Sequence, residues 1–212
     1  MCSSDLRNRG MMDHDLAQKE IAIFEGIIRL IKGGINPYTI KVSDIARQAD
    51  VGKGTLYEYF KTKEEAISKA ILYYIGRGLE EAYLAVKSQK SFQDKYYEIL
   101  RILARQAQEN KEQCKLMSPL GDLQDFYGHL SDYQTDYRAN QTWIKKIYED
   151  IFQAGDNEHL ISQEALQDED YREMALIGAL AAFGHGLYRP LDNLEVDAAM
   201  AASYRLLVKA LS

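Results

Sequence analysis

The fold is decided by VSDIARQADVGKGTLYEYFK, which occupies residues 42–61. This stretch predicts two short helices, 42–49 and 53–60, joined by the tight connection Asp50-Val51-Gly52. Its apolar side chains recur where two steeply crossing helices would touch: Ile45, Ala46 and Ala49, then Val51 in the turn, then Leu56 and Phe60. The spacing predicts a helix-turn-helix whose second helix is held out from the surface, where it can enter the major groove of DNA.

The other side chains of the second helix suit contact with DNA. Gly52 stands at the predicted N-cap, and Lys53, Gly54 and Thr55 open the helix. The first turn of a helix has free backbone N–H groups and the positive end of the helix dipole, and both attract phosphate. Tyr57 follows Lys53 by one turn on the same face. We therefore predict that this face contacts DNA and that Gly54 allows a close approach of the backbone.

The stretch closely resembles the helix-turn-helix of the tetracycline-repressor (TetR) family of bacterial regulators. The matching residues are Ile45-Ala46, Val51, Lys53-Gly54-Thr55-Leu56-Tyr57, Tyr59-Phe60 and Lys63-Glu64. The close resemblance covers about residues 15–75. It implies an all-α fold with an N-terminal three-helix DNA-binding head, 1–62, and a helical body, 63–212, for effector binding and dimerisation.

The resemblance also implies roles for single residues. Lys53 and Thr55 match positions that face base edges, and Ser43 matches one that can reach DNA. The positions that match phosphate contacts are Tyr57, Tyr59 and Lys63.

Two residues depart from the family pattern. Asp50 stands where the family usually has Gly, at a turn position that tends to need a positive φ, and Asp is among the residues enriched there. Gly52 replaces the usual Ser or Thr cap, at a loss of a few tenths of a kcal/mol at most. We expect the motif to form in spite of both.

The charge is distributed unevenly along the chain. The net charge is −6, which taken alone argues weakly against nucleic-acid binding. Residues 1–63, however, hold ten Lys and Arg against eight Asp and Glu, a net charge of +2, so the rest carries −8. Because the field at a surface depends on where charge lies, a near-neutral head on an acidic body is compatible with DNA contact.

Composition limits the class of protein. Three prolines and few β-branched runs favour an all-helical fold. No run of about 18 apolar residues predicts a membrane span, and the opening MCSSDLRNRG lacks the apolar core of a signal peptide. Cys2 and Cys114 match no metal or disulfide spacing, so we expect a cytoplasmic protein without a metal or cofactor.

Apolar periodicity predicts the remaining helices. They are 15–33, 63–87, 92–110, 134–154, 169–188 and 195–211. We expect Gly33-Gly34 and Gly155-Asp156-Asn157 to end two of them, Thr62 with Glu65 to form a capping box, and Ser91 to cap another. In the first helix the predicted inner stripe is Leu16, Ile21, Phe24, Ile27, Ile28 and Ile31. Between 111 and 133 only short helical pieces with bends are expected.

The last two helices are rich in small residues at helical spacing. Small side chains let helices approach closely, and the TetR resemblance implies that these helices form a four-helix interface with a second copy. The residues predicted for the dimer interface are Ala175, Gly178, Ala182, Ala199, Ala202 and Leu206. Packing within one chain is the alternative.

Aromatic residues are frequent in the middle of the chain and can give a pocket its apolar walls. The resemblance implies a small-molecule effector there. The residues predicted near the cavity are Tyr96, Phe126, Trp143, Tyr148 and Phe183. For any one of them, an ordinary core position is the alternative.

The function predicted is that of a homodimeric transcriptional regulator, a repressor that a small-molecule effector releases from a pseudo-palindromic operator. A helical interaction or sensor protein of the same fold without operator binding is the alternative. Catalysis is not expected, because the four histidines are scattered and neither a nucleophile elbow nor a phosphate-binding glycine loop occurs. A metal sensor would draw on His159 with Asp156 and Glu158, or on His129 with Asp132.

Overall fold

The computed structural model describes residues 18–109, 134–187 and 193–212. Within these ranges the chain is helical and has no strand, so the all-α prediction is confirmed. The helices are α1 (Gln18–Lys32), α2 (Val42–Ala49), α3 (Lys53–Tyr59), α4 (Lys63–Ser88), α5 (Phe92–Glu109), α6 (Gln134–Asn157), α7 (Gln163–Gln167), α8 (Glu169–Leu187) and α9 (Asn193–Leu211). A single 3₁₀ turn, Pro37–Thr39, precedes α2.

Packing separates two compact units. Of the described residues, the first contains 18–76 with 134–138, and the second contains 77–109 with 139–187 and 193–212. Each has its own apolar core. A functional boundary after residue 62 stays a prediction, and the predicted pieces between 111 and 133 lie outside the described residues.

The core of the first unit is built on α1. Its buried line runs through Ile23, Phe24, Ile27 and Leu30. The predicted stripe is therefore displaced, since Ile21, Ile28 and Ile31 are only half-buried, and Leu16 lies outside the described residues. The displacement arises because five isoleucines and a leucine are spread around the helix, and their spacing alone does not fix which side faces the core.

The end of α1 follows the prediction for Gly33-Gly34. Gly34 has a φ of 87°, and the N–H of Ile35 donates to the carbonyl of Leu30 at 3.2 Å. This is the Schellman arrangement that a left-handed glycine makes possible. The chain is then turned toward the 3₁₀ turn, where the N–H of Tyr38 donates to Oδ1 of Asn36 at 2.9 Å.

The core of the second unit joins α5, α6, α8 and α9. Tyr96 and Leu100 of α5 are fully buried, as are Ile151 of α6 and Leu176 of α8. The hydroxyl of Tyr96 lies 2.6 Å from that of Ser203, which donates to a carbonyl of α8 at 2.9 Å. Burial raises the pKa of Tyr96 to about 12, with the hydrogen bond to Ser203 acting the other way. These polar groups pin α5 to both of the last two helices.

The predicted stop at Gly155-Asp156-Asn157 is wrong, because α6 continues through all three residues to Asn157. The turn comes at His159, which has a φ of 56°, and the N–H of Leu160 donates to the carbonyl of Gly155 at 2.9 Å. Gly155 is needed for packing instead. A Cβ there would lie 2.8 Å from Ile161 Cδ1 and 3.0 Å from Phe92 Cδ2, so only glycine lets both side chains rest on the helix.

One described helix, α7, was not predicted from the sequence. The short helix α7 begins after Ser162, whose hydroxyl accepts a hydrogen bond from the N–H of Ala165 at 3.3 Å. Helix α7 has only five residues, too few for apolar periodicity to show. A serine followed by helix-forming residues was the available signal.

The packing of Gly155 leads to a prediction with a control of opposite sign. We expect Gly155→Ala to lower the free energy of unfolding by about 1–3 kcal/mol, because the methyl group would displace Ile161 and Phe92. Gly78→Ala should raise it by about 0.5–1 kcal/mol, because a Cβ at Gly78 meets nothing within 4 Å and alanine favours a helix. Urea unfolding of both variants measures this. Equal effects of the two substitutions would refute the packing role of Gly155.

Candidate DNA-binding surface

The helix-turn-helix forms where the sequence predicts it. Helix α2 has the predicted bounds, and α3 ends one residue earlier than predicted because Phe60 is extended. The side chains predicted to face inward are buried: Ile45, Ala46, Ala49, Leu56 and Phe60. Val51 is half-buried against the same core. These contacts fix α3 on the first unit through one side only.

The turn confirms the expected backbone at Asp50. Its φ of 53° and ψ of 46° are left-handed, and its N–H is directed to the carbonyls of Ala46 and Arg47. The N–H of Val51 also donates to the Ala46 carbonyl, at 2.9 Å. Gly52 is the N-cap of α3 as predicted, extended and without a side-chain hydrogen bond. The two departures from the family pattern thus leave the turn intact.

The outer side of α3 is open. Lys53, Gly54 and Tyr57 are exposed, the tyrosine by 56%, and Thr55 is half-buried. A Cβ at Gly54 would meet nothing within 4 Å, so no contact within the chain requires glycine there. Glycine near the start of a helix costs stability compared with alanine. We call Lys53, Gly54, Thr55 and Tyr57 the α3 face.

Three further residues predicted to contact DNA lie around this face. Ser43 is half-buried in the first turn of α2. Tyr59 is half-buried with its ring 6.3 Å from that of Phe60, so it packs on the core. The Lys63 ammonium lies 3.3 Å from the carbonyl of Tyr38 and 3.4 Å from a carboxylate oxygen of Glu64. Of the three, Lys63 is restrained beside the 3₁₀ turn, which the sequence did not reveal.

The start of α4, directly after the helix-turn-helix, is fixed by hydrogen bonds of Thr62 and Glu65. The N–H of Glu65 donates to the Thr62 hydroxyl at 3.0 Å, as predicted for the capping box. The Glu65 carboxylate accepts from the N–H of Lys61 at 2.7 Å, one residue before the N–H that a regular capping box uses. Burial raises the pKa of Glu65, but the hydrogen bonds from Lys61 and Lys69 outweigh it and lower that pKa overall.

This lowered pKa predicts an acid-sensitive contribution to stability. A carboxylate whose folded pKa lies below its ordinary 4.5 stabilises the fold above that value, and the contribution disappears as pH falls through the lowered value. We expect Glu65→Gln to be less stable than wild type near neutral pH, with the difference shrinking as pH falls from about 5 to about 3 in urea unfolding. Glu64→Gln, at an exposed carboxylate, is the control. A difference for Glu65→Gln that stays constant with pH would contradict the assignment.

The residues predicted for a dimer interface divide into two groups. Gly178, Ala182, Ala202 and Leu206 are exposed, whereas Ala175 and Ala199 are half-buried against the core of their own chain. The exposed group continues through Met174 and Ile177, which are 71% and 50% exposed. A Cβ at Gly178 would meet nothing within 4 Å. We call the exposed apolar residues of α8 and α9 the α8–α9 face.

Four of the residues predicted near an effector cavity are described, and they take up core or partly covered positions in the second unit. Tyr96 and Phe183 are buried in the core, and Tyr148 is half-buried against it. The Trp143 ring is tilted by 45° against that of Tyr83, with centroids 5.5 Å apart, and the Lys146 ammonium lies 4.2 Å from the Trp143 ring centroid. Phe126 lies outside the described residues.

The groove lies between α5 and α9 and has a volume of about 440 Å³. Its lining residues are Tyr97, Arg101, Ala104, Arg105, Gln108, Val196, Asp197 and Met200. None of the four described cavity candidates lines it. The available signal was Arg101 and Arg105, four residues apart on one helix face, a pair that sequence reasoning passed over.

Metal ligation and membrane insertion find no support in the described ranges. No three His, Cys, Asp or Glu side chains there lie close enough together to hold a metal ion. His159 is exposed, and His129 lies outside those ranges. No helix found in the described part of the chain has the length and apolarity that a membrane span needs.

Comparison with known proteins places the helix-turn-helix in a family. Residues 36–67 match the family model for bacterial regulatory proteins of the tetR family. The match covers the 3₁₀ turn, α2, α3 and the first turn of α4. No curated protein matches the chain in sequence.

Solved structures share the fold over most of the chain. A TetR-family transcriptional regulator from Vibrio parahaemolyticus is 18% identical with a TM-score of 0.62, covering 89% of this chain and 98% of its own. The fatty acid degradation regulator FadR from Bacillus halodurans is 16% identical with a TM-score of 0.60, covering 91% and 96%. FadR from Bacillus subtilis, solved with stearoyl-CoA, is 18% identical with a TM-score of 0.56, covering 91% and 99%. Residues 36–67 therefore match the tetR family of bacterial regulatory proteins, and the chain has the fold of TetR-family transcriptional regulators.

Proposed function

We propose that the chain is a homodimeric regulator that reads a pseudo-palindromic operator with the α3 face and represses transcription until a small molecule releases it. The observation that carries this proposal is the open side of α3. Lys53 and Tyr57 project from it, and Gly54 leaves space that the chain itself does not use. A short helix fixed to its core by one side is the form in which such helices enter the major groove.

The side chains of the α3 face make two kinds of contact, with base edges and with phosphates. Lys53 and Thr55, in the first turn, reach base edges, and Tyr57 donates from its hydroxyl to a phosphate. Gly54 lets the backbone of α3 approach the duplex. Ser43, Tyr59 and Lys63 lie at the margins, and the Lys63 ammonium would exchange its contact with the Tyr38 carbonyl for a phosphate.

A second copy is proposed because one seven-residue helix reads too few base pairs for a specific site. Two copies related by a two-fold axis read two half-sites. The α8–α9 face supplies the contact, since Met174, Ile177 and Leu206 expose apolar side chains side by side with small residues. Large contiguous apolar patches on a protein surface mark interfaces. A helix such as α8, apolar on nearly all sides, is expected to be covered on nearly all sides.

Release by an effector is proposed from the groove in the second unit. Its volume lies within the range of small-molecule sites, roughly 300–1,000 Å³. The Bacillus subtilis neighbour holds stearoyl-CoA, so this fold is able to accommodate a small molecule. An effector acts by binding more tightly to the state of the dimer that does not fit the operator.

Gly54→Ala tests the proposal through two effects of opposite sign. The variant should be as stable as wild type or more stable by up to about 1 kcal/mol, because alanine favours the helix and nothing nearby is displaced. Its affinity for an operator selected from random DNA should fall about tenfold or more, equivalent to ~1.4 kcal/mol, because the methyl group meets the duplex. Urea unfolding and fluorescence anisotropy measure the two quantities.

Gly78→Ala is the matched control, since a Cβ there is equally free of neighbours within the chain. It should leave operator affinity unchanged. Equal affinities of wild type and Gly54→Ala would remove the α3 face from the DNA contact, and a chain that selects no DNA sequence would overturn the proposal as a whole.

A further inference from the structure

We propose that the groove between α5 and α9 binds a small organic monoanion with an apolar part, of the class of a carboxylate on a hydrocarbon chain. The inference rests on the proposed function only in taking this ligand as the effector. The choice of ligand class comes from the distribution of apolar and charged side chains in the groove.

The inner part of the groove is apolar. Ala104 and Met200 are 9% and 4% exposed and form its floor. Tyr97 and Val196 are half-buried at the sides, packed against the core of the second unit. The Tyr97 ring is held edge-on against that of Tyr204, with centroids 5.7 Å apart. A floor fixed in this way by the core offers a preformed surface for a hydrocarbon chain.

The rim of the groove is polar and carries two arginines. Arg101 and Arg105 lie one turn apart on α5, and both are exposed at the rim. The Arg101 guanidinium lies 3.3 Å from the carboxylate of Glu98 and 6.0 Å from the Tyr97 ring centroid. Arg105 is exposed, and its guanidinium has the planar fork of N–H donors that pairs with a carboxylate.

The remaining charges select against ligands of higher charge. Asp197 lines the groove opposite the arginines, and Glu98 competes for Arg101. A dianion would meet both carboxylates, whereas a single carboxylate can pair with Arg105 and extend its chain toward Met200. Together these groups fit one negative charge at the rim and an apolar tail on the floor.

Titration calorimetry of the full chain without DNA tests the proposal, with octanoate as the anionic probe and octanamide as its neutral analogue. We expect octanoate to bind saturably and octanamide to bind at least about tenfold more weakly. Arg105→Gln should weaken octanoate binding by a similar factor, and Arg105→Lys by less, because lysine keeps the charge but loses the fork. Lys90→Gln, which removes an exposed cation outside the groove, should change nothing.

Three results would overturn the proposal: no saturable binding of octanoate, equal binding of the two probes, or equal binding by wild type and Arg105→Gln. Operator affinity is measured on the same samples with and without octanoate. If wild type without octanoate binds no operator, the proposed function is overturned, but the octanoate-binding result still holds. Octanoate that binds through Arg105 without changing operator affinity would overturn its role as the effector.

Discussion

Leu206→Glu is expected to convert a dimer into a monomer and to lower operator affinity by about 10²-fold or more. Leu206 is 50% exposed on the α8–α9 face, so a carboxylate there can reach solvent in the single chain. In a two-fold contact each substitution appears twice, and burying two unpaired charges opposes association strongly. Without the second copy the gain from binding two half-sites together is lost, and that gain is typically about 10²–10⁴-fold.

Leu84→Glu is the matched control for this substitution. Leu84 is 40% exposed on α4 and is not part of the α8–α9 face, so the same change of charge there should leave assembly and affinity as in wild type. Sedimentation velocity gives the oligomeric state, and anisotropy gives the affinity. A Leu206→Glu protein that remains dimeric and binds its operator normally would show that the copies meet elsewhere.

Lys95→Met is expected to lower the free energy of unfolding by about 2–4 kcal/mol. The Lys95 ammonium is buried and donates to Asp150 at 2.5 Å and to the Val86 carbonyl at 3.2 Å. Removing the ammonium leaves the partly buried Asp150 carboxylate without its partner. Breaking an ion pair in this way costs about 3–5 kcal/mol when both groups are fully buried. The range expected here is lower because the Asp150 side chain is 26% exposed. Val86 keeps a donor in the N–H of Gln89.

The double variant Lys95→Met with Asp150→Leu separates loss of the pair from loss of packing. Replacing both charges by apolar groups of similar size should restore most of the stability, since buried ion pairs and apolar isosteres are often nearly equal. Urea unfolding of the two single variants and the double variant forms a double-mutant cycle. If the double variant is as unstable as the sum of the single variants, the ion pair does not couple α5 to α6.

The parts of the structure that local signals determine could be predicted from the sequence. The bounds of α2, the left-handed Asp50, the Gly52 cap and the glycine end of α1 all follow from contacts within a few residues. The α3 face was predicted for the same reason. Spacing of apolar residues names the buried side of a short helix, and what remains must face outward.

The parts that distant contacts determine could not be predicted. Gly155 resembles a helix stop in sequence, and only its approach to Phe92 on another helix shows why it lies inside α6. Tyr96 and Phe183 have the composition of a pocket wall as well as that of a core, and their burial depends on α9. Arg105 and Met200 both line the groove although they are distant in sequence, so no sequence motif predicts the groove.

Methylation protection of guanine N7 along a selected operator tests the central claim most directly, because N7 lies in the major groove where α3 is proposed to insert. We predict two protected patches related by a two-fold axis, with centres about one helical turn, ~10 base pairs, or a multiple of it apart. Both should disappear together in Leu206→Glu and weaken in Gly54→Ala. Protection of adenine N3 in the minor groove with guanine N7 left unprotected, or a single unpaired patch that survives in both variants, would contradict the account.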